Sequence, residues 1–486
     1  MSNSEYRMLI DGDLVAAADG QVYDNVNPAN EEVIGTAPRA GAADAERAIL
    51  AARRAFDTTA WSTDIELRRR CLDQLQSALR KHAEELRPIV VAEGGMPVAL
   101  THDVAVDGCI EMMSHFINLL DTYEFERIIT PIAGDEGAHR VVRREAVGVV
   151  AAITPWNYPL FLALGKLAPA LAAGNTVVLK PAPDTPWSTL EVGRLILEHT
   201  DIPAGVVNIV STDDNDVAGL LTTHPAVDAV TFTGSTATGR RIMAAAAPTV
   251  KRLTLELGGK SSAILLDDAD FLTAIPFIAG TTMSHAGQGC GIYSRLLVPR
   301  TRLDEAVAVA VGTMGQIPWG DPTDINNYMG PLANKRQYDS VLRYYDIAAR
   351  DGRVVLGGKA SDRFDKGYWV EPTVVTDIDS LSPVPQEEIF GPLLSILPYD
   401  TDDEAVAISN NTIYGLAGGV WSADLDHATR VANGMRASSI QINDQMWNHQ
   451  TAPFGGYKQS GIGREWGVEG LEDLLEVKTI ARPAQQ

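Results

Sequence analysis

The stretch VGVVAAITPWNYP (147–159), followed by NTVVLK (175–180), decides the architecture. VGVVAAI and NTVVLK are short β-branched runs that read as buried strands. Runs of the same kind follow at GVVNIV (205–210), DAVTFT (228–233), RLTLEL (252–257) and SAILL (262–266). Helical stretches such as TLEVGRLILEH (189–199) and GRRIMAAAA (239–247) lie between several of them. Strands alternating with helices predict a parallel sheet with crossover helices, the doubly wound α/β architecture.

Upstream, residues 1–40 alternate short β-like runs with turn signals: MLIDGDLV, NVNPAN, EEVIGTAP. The pattern turns helical from Ala43 to about Tyr123, as in IELRRRCLDQLQSALRKHAEEL (65–86). A polar, β-leaning stretch over 124–144, with Gly134 and Gly137 as turn residues, predicts a projecting hairpin. Downstream, a second α/β rhythm runs from about 269 to 445, with strands expected near RLLVP, RVVLGG, PLLSIL, AGGVWS and SSIQIN. The tail LLEVKTIARP reads as a strand able to pair with the hairpin near residue 130.

At 486 residues the chain is too long for one ordinary core, so two or three packed units are expected. Its formal net charge of -23 makes nucleic acid and anionic membrane poor partners. Cys71, Cys109 and Cys290 lie far apart, with no Cys-x-x-Cys pair, a pattern suited to a reducing compartment. The start lacks a basic segment followed by an apolar one, and the most apolar run stops at Pro155, short of a membrane span. A cytoplasmic protein is expected.

Several chemistries find no residues here. GGKSS (258–262) resembles the end of a phosphate-binding P-loop, but Thr254 stands where that motif needs glycine. The histidines show no ligand spacing, so no metal is expected. No Gly-x-Ser-x-Gly elbow and no Gly-x-Gly-x-x-Gly fingerprint occur. The α/β pattern alone leaves the cofactor open.

Four other stretches carry chemistry. In AITPWNYP (152–159), residues just past a strand's carboxyl end line a ligand crevice, where the Asn157 amide can donate to a developing oxyanion or simply close the turn before Pro159. In FTGSTATG (232–239), a strand ends at Gly234 and Ser235 and a helix begins. Its N–H groups can receive a pyrophosphate, though Gly-Ser also makes an ordinary helix cap. In LELGGKS (255–261), Glu256 stands in an apolar strand. Desolvation there raises its pKa toward the range of a general base, unless it faces solvent from an edge. In SHAGQGC (284–290), Cys290 follows a sharply turning backbone that leaves sulfur accessible, and a reactive thiolate needs a polar or electropositive setting. Cys71 and Cys109, in helical stretches beside Leu72 and Ile110, read as buried small hydrophobes.

Together these stretches resemble the aldehyde dehydrogenase superfamily in order and spacing. EEIFGP (387–392) and PFGGYKQSGIGRE (453–465) match two further signatures, and LIDGDLV and VNPANEEVIG look like the family's opening strands. The resemblance covers essentially the whole chain. It implies a Rossmann-type dinucleotide-binding domain (1–123 and 145–256), a second α/β catalytic domain (257–445) and a small β oligomerisation arm (124–144 and 466–486). It also implies a homodimer or homotetramer.

The implied reaction takes an aldehyde to the carboxylic acid with NAD or NADP. Cys290 attacks to give a thiohemiacetal whose oxyanion rests on the Asn157 amide and the Cys290 N–H. Hydride transfer leaves a thioester, and Glu256 activates the water that hydrolyses it. Lys166 matches a lysine that assists proton transfer near this base. Cofactor contacts carry over to Ile153, Thr154, Trp156, Lys180, Gly234, Ser235, Gly239, Leu257, Glu388 and Phe390. Glu256 weighs against a CoA-acylating relative. A cysteine hydrolase or a non-catalytic scaffold would leave Asn157 and FTGS without purpose.

Two places depart from the pattern or leave it open. Where NAD-preferring relatives carry a Glu three residues after the lysine of the KP motif, this chain has Pro183, which neither repels nor binds a 2′-phosphate; the expectation is NAD by a slight margin. Aldehyde-tunnel positions match Tyr158, Phe161, Gly165, Gly289, Gly291, Trp447 and Asn448. Glycines leave space, aromatics give flat walls, and no cation stands at Gly165, so a roomy, uncharged, aromatic or medium-chain aldehyde is expected.

Overall fold

The computed structural model describes residues 6–130, 138–443 and 449–483. The expected β-branched runs form two parallel-rich sheets. In the first, the parallel strands Val149–Ile153, Thr176–Lys180, Val207–Ile209, Ala229–Thr233 and Arg252–Glu256 lie in the spatial order of the fifth, fourth, first, second and third. This is a doubly wound sheet, and its order reverses between Val149–Ile153 and Ala229–Thr233. Met8–Ile10 extends one end antiparallel, and Gly461–Ile462 closes the other by pairing with Leu255 and Glu256. The three strands at the centre of the sheet are buried at every position, which is why their sequences show no polar alternation.

The second sheet runs Arg353–Leu356, Thr373–Thr376, Leu393–Tyr399, Tyr293–Pro299, Ser261–Leu265, Ala417–Trp421, Ser439–Ile442. All neighbours are parallel except the first pair. Each sheet has its own apolar core, one centred on the helix Pro159–Ala173 and its neighbours, the other on Phe271–Met283. Pro159 opens the first of these helices and Gly174, at φ +93°, ends it, the usual asymmetry of a helix start and stop.

The tail forms the expected strand. Leu475–Pro483 pairs antiparallel with Ala138–Ala146, which pairs in turn with Glu126–Ile129. Gly134 and Gly137 lie outside the described residues. Before the tail reaches this arm, residues 461–472 return to the first sheet, where the helix Gly467–Glu472 packs on Pro159–Ala173. No described helix is long and apolar enough to cross a membrane.

Candidate active site

A cleft of about 1290 Å³ opens at the carboxyl ends of the first sheet, at the point where its strand order reverses. Its wall takes in Ile153, Thr154, Trp156, Lys180, Gly234, Ser235, Leu257, Glu388 and Phe390, and it reaches Asn157 and Cys290. It exceeds the size of a single small-ligand pocket. Gly239 lies beneath it. A Cβ there would sit 2.6 Å from the Leu257 side chain, so the glycine lets the helix pack on the strand. Ser235 caps the helix Thr236–Ala246, accepting from the Thr238 N–H at 3.3 Å. The remaining N–H groups of that first turn can receive a phosphate. Lys180 is buried at its strand end with Nζ donating to the Pro181 carbonyl at 2.9 Å. Burial pulls its pKa down to about 8, against the support of Asp184 and Asp213. The cleft thus offers N–H donors at a helix start and a buried ammonium at a strand end, groups that can receive a phosphate and a hydroxyl.

The loop before Cys290 turns as sharply as its sequence suggests. His285, Ala286 and Gly287 take φ of +47°, +53° and +73° in succession. Two non-glycine residues in this region cost about 1–3 kcal/mol each. The Gln288 side chain offsets that cost. Its amide donates to the His285 carbonyl at 2.9 Å and accepts from Ala333 N–H at 2.9 Å. The Gln288 carbonyl accepts from Asn157 Nδ2 at 2.8 Å, which fixes the Asn157 amide beside the thiol's loop. Gly258 and Gly259 permit two close approaches: a Cβ would lie 2.2 Å from the Glu388 carboxylate in one case and 2.3 Å from the Cys290 carbonyl in the other. Glu388 accepts from Gly259 N–H at 3.0 Å, and burial raises its pKa to about 7.

Cys290 alone among the cysteines is partly exposed; Cys71 and Cys109 are buried. Burial, then the Glu388 and Glu256 charges, push the Cys290 thiol up to about 12, so it rests protonated. Glu256 ends its strand almost fully buried, and neither carboxylate oxygen has a hydrogen-bond partner. Burial and the Glu465 charge hold its pKa well above the carboxylate range, with Lys166 and Arg464 acting against them. Lys166 Nζ meets Glu465 Oε1 in a buried ion pair and donates to Thr231 Oγ1 at 3.0 Å. Glu465 lies inside a quoted signature yet received no role from the sequence.

Tyr158 and Phe161, expected along an aldehyde tunnel, pack against other aromatic rings. Tyr158 meets His285 edge-on at 5.4 Å, and Phe161 meets Trp466 at 5.4 Å. Trp466 in turn stacks on Phe454 at 4.9 Å. Gly165 leaves no opening: Met112 and the Trp466 indole both stand 3.4 Å from where its Cβ would be. Trp466, missed from sequence, was signalled only by an aromatic directly after the GRE signature. A Cβ at Gly289 would meet Ile292 at 2.7 Å. Gly291 follows Cys290 directly in the chain. Trp447 and Asn448 lie outside the described residues. No group of three His, Cys, Asp or Glu suited to a metal occurs among the described residues.

The sequence profile of the aldehyde dehydrogenase family matches residues 14–480. A 3-succinoylsemialdehyde-pyridine dehydrogenase from a Pseudomonas species is 40% identical over 98% of this chain and 98% of its own. Betaine aldehyde dehydrogenase from Staphylococcus aureus, solved with NAD+, superposes with a TM-score of 0.95 at 38% identity, covering 99% of this chain and 98% of that one. Aldehyde dehydrogenase C from Pseudomonas syringae, solved with NAD+ and octanal, gives a TM-score of 0.94 at 39% identity over 99% and 97% of the two chains.

Proposed function

The chain belongs to the aldehyde dehydrogenase family, and on that premise we propose that it oxidises a roomy, uncharged aldehyde to the carboxylic acid with NAD. The observation that carries the hydrolytic outcome is Glu256, a buried carboxylate with both oxygens unpartnered and a raised pKa. A base poised this way takes a proton from water readily once a thioester is in place.

The resting thiol releases its proton to solvent as sulfur attacks the carbonyl carbon. The oxyanion of the thiohemiacetal is held by the Asn157 amide and the Cys290 N–H. Lys180, Ser235, Glu388 and Phe390 would hold NAD+, which would supply the acceptor for the hydride lost as the adduct becomes a thioester. Glu256 then activates water, the acyl–sulfur bond breaks and the acid leaves. Lys166 tunes this base through Glu465, whose charge it balances.

For the substrate, the support is the cluster of aromatic rings formed by Tyr158, Phe161 and Trp466. Lys166, next to Gly165 in the chain, is already paired with Glu465. Octanal bound to the Pseudomonas syringae relative fits the same reading. We also read residues 1–123 and 145–256 as the dinucleotide-binding domain, 257–445 as the catalytic domain, and 124–144 with 466–486 as the arm. Among its described residues the arm exposes Ile128, Val477 and Ile480, which favours pairing with a second copy.

The test is reduced-nicotinamide formation by purified protein with NAD and benzaldehyde, hexanal or octanal, beside Cys290→Ala. Cys290-dependent turnover is expected; faster turnover of succinic semialdehyde than of all three would overturn the substrate reading.

A further inference from the structure

The Rossmann-type sheet normally ends its second strand near a carboxylate that takes the ribose hydroxyls and repels a 2′-phosphate. Here that strand ends at Lys180, and Pro183 offers no carboxylate three residues on. The cleft nonetheless has acid at this end. Asp184 and Asp213 both line it, one from the loop after Thr176–Lys180, the other from the loop after Val207–Ile209. The loops after these neighbouring strands bring both carboxylates into the cleft, close enough to act on the buried Lys180 ammonium. Asp213 is held from behind by Arg39 at 2.5 Å, which fixes its position. Three cations of the cleft wall face carboxylates: Lys180 both aspartates, Arg336 Asp184, and Lys335 Asp339 at 2.7 Å. A fourth, Arg241, donates to Thr238 Oγ1 at 2.9 Å from the helix on the pyrophosphate side. A ribose 2′-hydroxyl can meet this arrangement as a neutral donor and acceptor. A 2′-phosphate would bring nearly two further negative charges beside Asp184 and Asp213.

We infer that Asp184 and Asp213 together replace the missing carboxylate at position 183 and select NAD over NADP by repelling the 2′-phosphate. This rests on the dinucleotide reading of the cleft. The selection is made by an unfavourable contact with the wrong cofactor more than by a new contact with the right one. Because both dinucleotides share the pyrophosphate, the ratio of their affinities isolates the ribose end.

The experiment measures equilibrium dissociation constants for NADH and NADPH by titration calorimetry on the wild type, Asp213→Asn, Asp184→Asn and the double variant. Wild type is expected to bind NADH about 50-fold tighter or more. Each single variant should raise NADPH affinity about 5- to 10-fold while NADH moves about twofold at most, and the double variant should approach parity. Asp213→Asn, at a half-exposed position, keeps the test open if the more enclosed Asp184→Asn fails to fold. Equal binding of both cofactors by wild type, or a ratio unmoved in the variants, overturns the inference alone. A parallel gain for NADH and NADPH also overturns it, by showing a general charge effect. Binding of neither dinucleotide overturns the reading of the cleft and the inference with it.

Discussion

Glu93 and Glu256 are both buried carboxylates at the ends of regular elements, and the protein treats them in opposite ways. Glu93, near the end of the helix Ala83–Gly94, accepts from the N–H groups of Trp187 at 2.7 Å and Ser188 at 3.0 Å and from Asn25 Nδ2 at 3.3 Å. It caps a helix that belongs to another part of the chain, and burial still lifts its pKa to about 7. Glu256 is enclosed just as tightly and accepts from nothing. Burial sets the direction of both shifts; the hydrogen-bond partners separate a carboxylate that organises structure from one left free for chemistry.

The sharpest way to break the contrast is Glu256→Gln. Steady-state turnover should fall about 10²- to 10⁴-fold, while a burst of reduced nicotinamide near one per site persists, because thioester formation outlives loss of the hydrolytic base. A variant that turns over normally would place the base elsewhere. Next comes Asn157→Ala, which removes the amide donor and should cost about 10²- to 10³-fold in kcat, with little change in cofactor affinity by titration. Glu93→Gln should leave kcat within about twofold yet lower stability by about 1–3 kcal/mol, read by denaturant unfolding at pH 5. The Gln amide turns a donor toward a backbone N–H where an acceptor is needed.

The smallest effect is in pH. Glu93 titrates near 4.5 when unfolded and about 7 when folded, so between these values the native state holds more protons. Stability contributed by the protonated form is present below pH 4.5 and is lost as pH rises toward 7. Glu93→Gln should flatten this slope, so its deficit against wild type is largest at pH 5 and shrinks by pH 8. A deficit that grows with pH would mean that Glu93 is ionised throughout.

The strand runs from Val149 to Leu265 were legible because fully buried parallel strands have a pattern of their own. Cys290, Glu256 and Asn157 were legible because their motifs sit at strand ends and sharp turns. What stayed hidden depends on contacts made between distant segments. Glu465 gains its meaning only from Lys166, far upstream in the chain. Trp466 matters because its indole lies over Gly165, and no periodicity encodes that. The resting thiol's high pKa comes first from burial and then from three carboxylates drawn from three separate segments. Pro183 looked like a loss when read alone, because Asp213 arrives from a different strand.

The return of residues 461–465 to the edge of the first sheet has a consequence for synthesis. Gly461 pairs with Glu256 and Glu465 neutralises Lys166, yet both emerge from the ribosome long after Cys290. Until they arrive, the strand carrying Glu256 is an open edge and Lys166 is a buried charge without its counter-ion. The nascent chain therefore holds Cys290 in an unfinished site until residues 461–465 have emerged and docked.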